Sequence, residues 1–351
     1  MKLDELRSSM KDAGVDALIV YDELNQRYLS DFAFSDGFLL IKETEAYLVT
    51  DFRYFEMAVN QADPSFTVLM PDDRRKFLDE KLKGCSLVGF EGNFVSFALY
   101  NRLCENNPSV KFVSVGNMIE KLRQLKTPEE LSKIARSQNI TDLAFSHLLK
   151  MITPEMTEIE VALELEYAMK KGGAESLAFD TIAVSGDASS LPHGKPRNVK
   201  LKRGFLTMDF GAKLDGYCSD MTRTIVIGKA DDDMKKLYNT VLSAQNSALQ
   251  FIKSGVDCAA ADKVARDIIE KDYPGTFGHA LGHSVGLYIH EEPRLSSRCK
   301  DRILRTNEVL TVEPGIYVYG KYGCRIEDMV AVTDSGCTNF TQSNKELIEI
   351  Y

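Results

Sequence analysis

Two pairs of acidic residues and one histidine in the carboxy-terminal half of the chain have the types and spacing of a site for two metal ions. These residues are Asp209, Asp220, His283, Glu313 and Glu327. Each acidic pair flanks a turn signal. Asp215-Gly216 between two β-favouring runs predicts the first hairpin, and residues 319–323 predict the second. Two antiparallel hairpins would therefore bring acidic side chains together in pairs.

The spacing within each pair has a physical consequence. The first hairpin would place Asp209 nearly opposite Asp220, where facing residues have Cβ atoms roughly 4.5–5.5 Å apart. Ionised carboxylates that close repel one another unless a cation lies between them. Glu313 and Glu327 are separated by an even number of residues, so the two-residue strand period puts both on one face, together with Arg325.

The donor set indicates which metals would bind. Carboxylate oxygens and one imidazole suit Mn²⁺, Co²⁺, Fe²⁺ or Zn²⁺ and disfavour a thiolate-ligated site. Cys218 lies two residues before Asp220, and we interpret it as a small buried hydrophobe beside the site rather than a ligand.

Several motifs occur in a fixed order along this half of the chain. They are Pro192-His193-Gly194, Asp209-Phe210-Gly211-Ala212, Gly216 to Thr224, Gly282-His283 to His290, Glu313-Pro314-Gly315-Ile316-Tyr317, and Arg325-Ile326-Glu327-Asp328. On these residues the chain resembles the pita-bread metallopeptidases, in the branch of Xaa-Pro dipeptidases (prolidases) and Xaa-Pro aminopeptidases (aminopeptidase P). Asp51-Phe52-Arg53-Tyr54 is similar to a motif of that family's amino-terminal domain, so the resemblance spans the whole chain.

The resemblance implies an α+β fold. A pita-bread (creatinase/aminopeptidase) catalytic domain, residues 121–351, would follow a smaller α/β creatinase-like domain, residues 1–120. The sequence pattern agrees, because residues 1–115 alternate helical patterns with short apolar strand runs at residues 39–41, 46–50, 66–69 and 86–90. We expect the boundary near Glu120.

Two helices after that boundary carry clear start signals. Helical periodicity runs over residues 117–145, and Thr127-Pro128-Glu129-Glu130 within it reads as a capping box with a first-turn proline. A second helix over residues 157–171 is predicted from Thr157 and Glu160, with Gly172-Gly173 at its end.

The resemblance also implies which metal ion each ligand would bind. Asp209 would hold one ion, His283 and Glu313 the other, and Asp220 and Glu327 would bridge both. The expected cofactors are two divalent ions per subunit, Mn²⁺ favoured over Co²⁺ or Zn²⁺. A water or hydroxide shared by the ions would be the nucleophile, and Glu313 would accept its proton.

Further roles follow from the same resemblance. His193 and His290 would steady the scissile carbonyl oxygen, with His279 in the same pocket. Arg325 would orient the glutamates. Arg294 is our candidate for binding the free carboxylate that follows proline in a dipeptide, because its guanidinium suits bidentate capture.

The favoured activity is that of a dipeptidase acting on short proline-containing peptides. The alternative within the branch is an Xaa-Pro aminopeptidase acting on longer peptides. Three alternatives lie outside this branch: a methionine aminopeptidase, a creatinase-like amidinohydrolase that works without metal, and a metal-free pita-bread binding module. Intact metal ligands and the amino-terminal motif disfavour these three.

The composition limits the possible binding partners and the cellular compartment of the protein. The net charge of −9 argues against nucleic acid and anionic membranes, since phosphate binding needs a basic face. Seven cysteines without a paired pattern indicate reduced thiols, and the amino terminus has no apolar signal core, so we expect a cytoplasmic protein. The resemblance implies a homodimer.

Overall fold

Contacts divide the chain into two compact units, Met1–Arg123 and Gln124–Tyr351. The structure is a computed structural model that describes residues 2–351. A short helix, Met118–Arg123, crosses the boundary expected near Glu120 and packs within the first unit.

The first unit is built on a six-stranded mixed sheet with the order β4-β3-β2-β1-β5-β6. The strands are β1 (Ala17–Val20), β2 (Phe38–Lys42), β3 (Ala46–Val49), β4 (Thr67–Leu69), β5 (Leu87–Phe90) and β6 (Lys111–Ser114). The helices are α1 (Lys2–Asp12), α2 (Glu23–Ser30), α3 (Phe52–Gln61), α4 (Arg74–Lys81), α5 (Phe97–Asn106) and α6 (Met118–Arg123). All four apolar runs expected to form strands do so. β1 and β3 are buried along their whole length, which explains why they are continuous apolar runs.

Four long helices belong to the second unit. They are α7 (Pro128–Leu148), α8 (Glu158–Lys171), α9 (Asp232–Phe251) and α10 (Cys258–Asp272). Both predicted capping boxes are present, with Thr127 bonded to Glu130 and Thr157 to Glu160. The periodicity over residues 117–145 covers two helices rather than one, because Thr127 is extended and Pro128 cannot continue a helix from the preceding turn. Among the described residues, no helix has both the length and the apolar character needed to cross a membrane.

The strands of the second unit form two larger sheets and two small ones, ordered β20-β12-β9-β8, β14-β13-β15-β18-β19, β11-β10-β7 and β16-β17. The strands are β7 (Ser176–Leu177), β8 (Ile182–Ser185), β9 (Gly204–Phe210), β10 (Ala212–Leu214), β11 (Tyr217–Cys218), β12 (Met221–Ile227), β13 (Gly282–Ser284), β14 (Glu291–Leu295), β15 (Val309–Val312), β16 (Gly315–Val318), β17 (Tyr322–Arg325), β18 (Asp328–Val332), β19 (Cys337–Asn339) and β20 (Glu349–Ile350). A short 3₁₀ helix, Gly186–Ser190, follows β8.

One face of each larger sheet is covered by a pair of helices. Leu206, Met208 and Phe210 of β9 pack in a core with residues of α7 and α8. Leu310 and Val312 of β15 pack in a second core with residues of α9 and α10. Because side chains alternate along a strand, the intervening residues of both sheets point to the other face. That other face, which is also buried at Thr207 and Thr311, carries the polar residues described next.

Candidate metal centre and active site

The first predicted hairpin forms where the sequence indicates. β10 pairs with β11, and the turn between them is Asp215-Gly216. Both residues have positive φ, 50° and 85°, as an Asp-Gly hairpin turn requires. A tight turn of this kind fixes the register of the two strands that it joins.

The register of this hairpin places the first acidic pair diagonally. Asp209 in β9 faces Thr222 of β12, not Asp220. Continuing the same register puts Asp220 opposite Gly211, where a Cβ would lie only 2.0 Å from the Ser219 carbonyl oxygen. The pairing expected to bring Asp209 nearly opposite Asp220 is therefore offset by two residues. They still share a face, as diagonal neighbours.

The second acidic pair lies in a gap between two ladders. β15 and β18 end with Val312 facing Asp328, and β16 and β17 begin with Gly315 facing Arg325. The two ladders have the same register, so Glu313 and Glu327 lie opposite one another between them. The second predicted hairpin is confirmed, and its even spacing places Arg325 on the face that carries the glutamates.

Three carboxylates form a compact group. Oxygens of Asp209, Asp220 and Glu327 lie within 4.8 Å of one another. Burial and then the charge of Glu327 raise the pKa of Asp220 well above its usual value, and burial and then the charge of Glu313 do the same to the pKa of Glu327. The Asp209 Oδ1 atom is buried and has no hydrogen-bond partner among the described residues. Buried, unpaired oxygen donors at this spacing fit a divalent cation.

His283 lies at the edge of this group. Its Nδ1 hydrogen-bonds the Ser284 carbonyl oxygen at 3.1 Å, so Nδ1 carries the proton and Nε2 presents a lone pair. That Nε2 is 3.6 Å from Asp220 Oδ2 and 3.4 Å from Glu313 Oε1. Burial, and then the charge of His290, lower the pKa of His283 to about 3. A neutral imidazole that points its lone pair at two carboxylates is again an arrangement that suits a cation.

Glu313 has the character of a base. Thr311 Oγ1 donates to its Oε1 at 3.1 Å. Burial raises the pKa of Glu313 to about 7, the charge of Asp209 adds to the rise, and Arg325 opposes it. A carboxylate with a pKa near neutrality can take up and release a proton at physiological pH.

All ten residues predicted for the site line one cleft of about 970 Å³. They are His193, Asp209, Asp220, His279, His283, His290, Arg294, Glu313, Arg325 and Glu327. His193 and His290 are exposed in it, and the His290 ring stands 4.6 Å from the His283 ring. A second cavity of about 480 Å³ shares Asp180, Ile182 and His193 with the cleft.

His279 is engaged on both sides by the protein. Its Nδ1 donates to the Ala280 carbonyl oxygen at 2.8 Å, and its Nε2 is 3.1 Å from the Tyr317 hydroxyl. Burial, and then the charge of Arg325, lower the pKa of His279 to about 4, so the ring is neutral and Nε2 accepts the hydroxyl proton.

Arg325 connects the two acidic pairs. Its Nη2 donates to Asp209 Oδ2 at 2.7 Å, and its Nε donates to Thr222 Oγ1 at 2.9 Å. Thr222 Oγ1 donates in turn to Glu327 Oε2 at 2.7 Å. The guanidinium is 2 % exposed, so these contacts are not weakened by water.

Tyr317 is a site residue to which the sequence analysis assigned no role. Its hydroxyl accepts from Arg325 Nη1 at 2.7 Å and lies in the cleft. Gly315 makes room for it, because a Cβ there would lie 2.6 Å from the hydroxyl oxygen. The sequence does contain a signal that points to Tyr317: Glu313, Gly315 and Tyr317 are two positions apart, so all three lie on the same face of the strand.

Arg294 and Cys218 lie at the periphery. The Arg294 side chain is half exposed in the cleft, with Nε 3.4 Å from Glu292 Oε1. Cys218 is buried, and its thiol hydrogen-bonds the Leu287 carbonyl oxygen at 3.8 Å. All seven cysteines are free thiols.

Known proteins share both units of this chain. Residues 132–334 match the metallopeptidase family M24, and residues 2–125 match the creatinase/prolidase N-terminal domain. An Xaa-Pro dipeptidase of Pyrococcus furiosus is 35% identical over 99% of each chain.

Solved structures agree with the sequence relatives. An Xaa-Pro dipeptidase from Bacillus anthracis superposes with a TM-score of 0.96 at 40% identity and covers 99% of each chain. An X-Pro aminopeptidase from Thermotoga maritima has a TM-score of 0.92 at 36% identity, over 98% of this chain and all of that one. The chain therefore belongs to the metallopeptidase family M24, with a pita-bread catalytic domain behind a creatinase-like amino-terminal domain.

Proposed function

We propose that this metallopeptidase releases the amino-terminal residue from peptides whose second residue is proline, with the dipeptide Xaa-Pro as its preferred substrate. The observation that carries the proposal is the convergence, in one cleft, of the carboxylate group of Asp209, Asp220 and Glu327 with His283 and Glu313. The relatives named for Xaa-Pro cleavage support the choice of substrate.

The ligand arrangement suits two divalent ions. Asp209 would hold one, His283 and Glu313 the other, and Asp220 and Glu327 would contact both. When bound, such ions supply a water of lowered pKa and polarise the scissile carbonyl. Four carboxylates among five ligands favour a hard ion, and we propose Mn²⁺ over Co²⁺ or Zn²⁺.

Glu313 is the group that moves the proton. Its carboxylate can take a proton from water and deliver it to the proline imide nitrogen as that nitrogen leaves. Thr311 holds one carboxylate oxygen, which leaves the other for this transfer.

Three histidines surround the substrate position in different ways. His193 and His290 are exposed in the cleft, and their N–H groups are available to a carbonyl oxygen that gains negative charge. His279 acts indirectly, because both of its nitrogens are engaged and one of them orients the Tyr317 hydroxyl.

Specificity for a dipeptide would depend on Arg294. Proline forms a tertiary amide without an N–H, so an enzyme for it cannot rely on reading an extended backbone. The half-exposed guanidinium of Arg294 is available for the carboxylate that directly follows proline. Its neighbour Glu292 is 3.4 Å away and is readily displaced by a better-placed anion.

A second candidate is an Xaa-Pro aminopeptidase acting on longer peptides. The cavity that shares Asp180, Ile182 and His193 with the cleft favours it, because a chain continuing past proline would have about 480 Å³ of further space.

The deciding experiment measures release of the amino-terminal residue from Ala-Pro, Ala-Pro-Ala and Met-Ala-Ala, with Mn²⁺, Co²⁺ or Zn²⁺ and after chelation. Cleavage of Ala-Pro in preference to Ala-Pro-Ala, lost on chelation, is expected. Preferential cleavage of Ala-Pro-Ala would establish the aminopeptidase, cleavage of Met-Ala-Ala would overturn the proline requirement, and no turnover would point to a binding module.

We extend the proposal to a cytoplasmic homodimer. Seven free thiols are consistent with a reducing compartment, and the family resemblance suggests the dimer. Sedimentation equilibrium would give the assembly state, and a monomer would remove this part of the proposal alone.

A further inference from the structure

A buried ion pair lies behind the histidine segment of the cleft. Lys126 Nζ is 3.2 Å from Glu291 Oε2 and 3.1 Å from Ser284 Oγ. The Lys126 side chain is only 2% exposed and that of Glu291 8%. Neither residue lines the cleft, and Lys126 is 165 positions from Glu291 in sequence. A buried ion pair does not by itself show that a protein is stabilised. The position of this pair next to the histidine segment is therefore the feature that indicates its role.

The pair closes the loop that carries His290. This loop runs from Ser284, the last residue of β13, to Glu291, the first residue of β14. Glu291 Oε1 accepts from the Tyr288 backbone N–H inside the loop at 3.2 Å. Gly286 makes room for the carboxylate, because a Cβ there would lie 2.5 Å from Glu291 Oε2.

The same contacts reach His283. Lys126 holds the hydroxyl of Ser284, and the carbonyl oxygen of Ser284 accepts from His283 Nδ1 at 3.1 Å. The rings of His283 and His290, one at each end of the loop, are 4.6 Å apart. One ammonium group therefore contacts the residues that directly follow the two histidines, Ser284 after His283 and Glu291 after His290.

We propose that Lys126 is a positioning residue that, through Ser284 and Glu291, sets the orientation of the His283 and His290 imidazoles in the cleft. The proposal rests on the proposed function for its kinetic readout, and a metal titration gives it a second readout. Loss of the ammonium would remove one partner of the buried Glu291 carboxylate, and the loop would have to move to replace that contact.

The test is a double-mutant cycle of Lys126→Met, Glu291→Gln and the combined variant. Each single variant should lower kcat on Ala-Pro and weaken Mn²⁺ affinity by about tenfold, the effect typical of groups that orient metal ligands, with little change in KM. Because the two groups act as one unit, the combined variant should lose no more kcat and no more Mn²⁺ affinity than either single variant.

Leu165→Ala is the matched control. It removes a buried side chain of α8 that does not line the cleft, so it should lower the melting temperature without changing kcat or Mn²⁺ affinity. If either single variant loses stability like this control while keeping wild-type kcat and Mn²⁺ affinity, the positioning role is overturned. Should Lys126→Met fail to fold, Glu291→Gln breaks the same pair from its other side and decides alone.

The two proposals fail separately. A wild-type protein that binds Mn²⁺ but cleaves no Xaa-Pro peptide would end the proposed function, and the titration of the variants would still decide the role of Lys126.

Discussion

Glu313 and Glu327 face one another in a gap between two antiparallel ladders that share one register. Neither glutamate belongs to a named strand, and their backbone N–H groups donate to the carbonyl oxygens of Leu281 and Thr222 at 2.8 and 3.1 Å. Asp220 is also outside a strand, in the two-residue interval between β11 and β12. These three acidic residues thus lie at interruptions between strands, while Asp209 lies within β9.

Asp220→Asn should abolish turnover and lose at least one metal ion. The amide keeps the shape of the side chain but removes the charge that two cations would share. Turnover of Ala-Pro and metal content by atomic emission measure the two effects. The control is Asp215→Asn in the turn of the same hairpin, where a half-exposed carboxylate contacts only the exposed Arg136 and positive φ suits asparagine. Full activity of Asp220→Asn with both metals retained would refute the ligand assignment.

Glu313 should make the metal-free protein less stable as pH rises from about 4.5 to 7. Burial raises the pKa of Glu313 from 4.5 to about 7, so across this window the unfolded chain has released a proton that the folded chain keeps. The free energy of unfolding then falls with pH, by roughly 3 kcal/mol for this group alone. The raised pKa values of Asp220 and Glu327 act in the same direction. The lowered pKa values of His279 and His283 act in the opposite direction, because the unfolded imidazoles take up protons below pH 6.5 that the folded ones do not.

Thermal melts of the chelated protein across this pH range measure that loss. Glu313→Gln should remove the share of Glu313 and flatten the profile. Added Mn²⁺ should stabilise the wild type more at pH 7 than at pH 5, because the ligands must be ionised to bind it. The same pH dependence of the melting temperature in the wild type and in Glu313→Gln would contradict the prediction.

Tyr317→Phe should lower kcat by about tenfold while the protein remains folded. The change removes only the hydroxyl that joins His279 Nε2 to Arg325 Nη1. Steady-state kinetics on Ala-Pro with circular dichroism measures both effects. Tyr319→Phe makes the same chemical change at a residue that is 97% exposed and should behave like the wild type. Equal effects of the two variants would show that the hydroxyl network does not matter.

Arg294→Ala should reduce kcat/KM for Ala-Pro by about 10- to 100-fold, the loss expected for a charged hydrogen bond. Cleavage of Ala-Pro-Ala should be retained or increased, because its carboxylate lies one residue further on. Arg298→Ala, an exposed arginine that does not line the cleft, is the control. Parallel losses on both peptides would exclude Arg294 from a role in specificity.

Features encoded by short sequence patterns were predictable. The Asp215-Gly216 turn, the capping boxes at Thr127 and Thr157 and the even spacing of Glu313 and Glu327 each follow from local rules. The ten cleft residues were predictable mainly through the family resemblance, and the structure brings them together without testing their individual roles.

Features that depend on distant contacts were not predictable. Lys126 acts on residues more than 150 positions away, and nothing beside it in sequence indicates a buried pair. The engagement of both nitrogens of His279 depends on Ala280 and on Tyr317, and only the fold sets the second of these contacts. The diagonal placement of Asp209 and Asp220 depends on a register that a one-residue difference in turn length would change.

The two helix-covered sheets contribute different ligands to the same cleft. Asp209 comes from one sheet, while His283 comes from the other. A cation held between them would join segments remote in sequence, and it would stabilise the folded domain because the unfolded chain does not bring these ligands together. Resistance of the catalytic domain to proteolysis should therefore follow the supply of metal, so that an ion-starved cell would lose the enzyme itself as well as its activity.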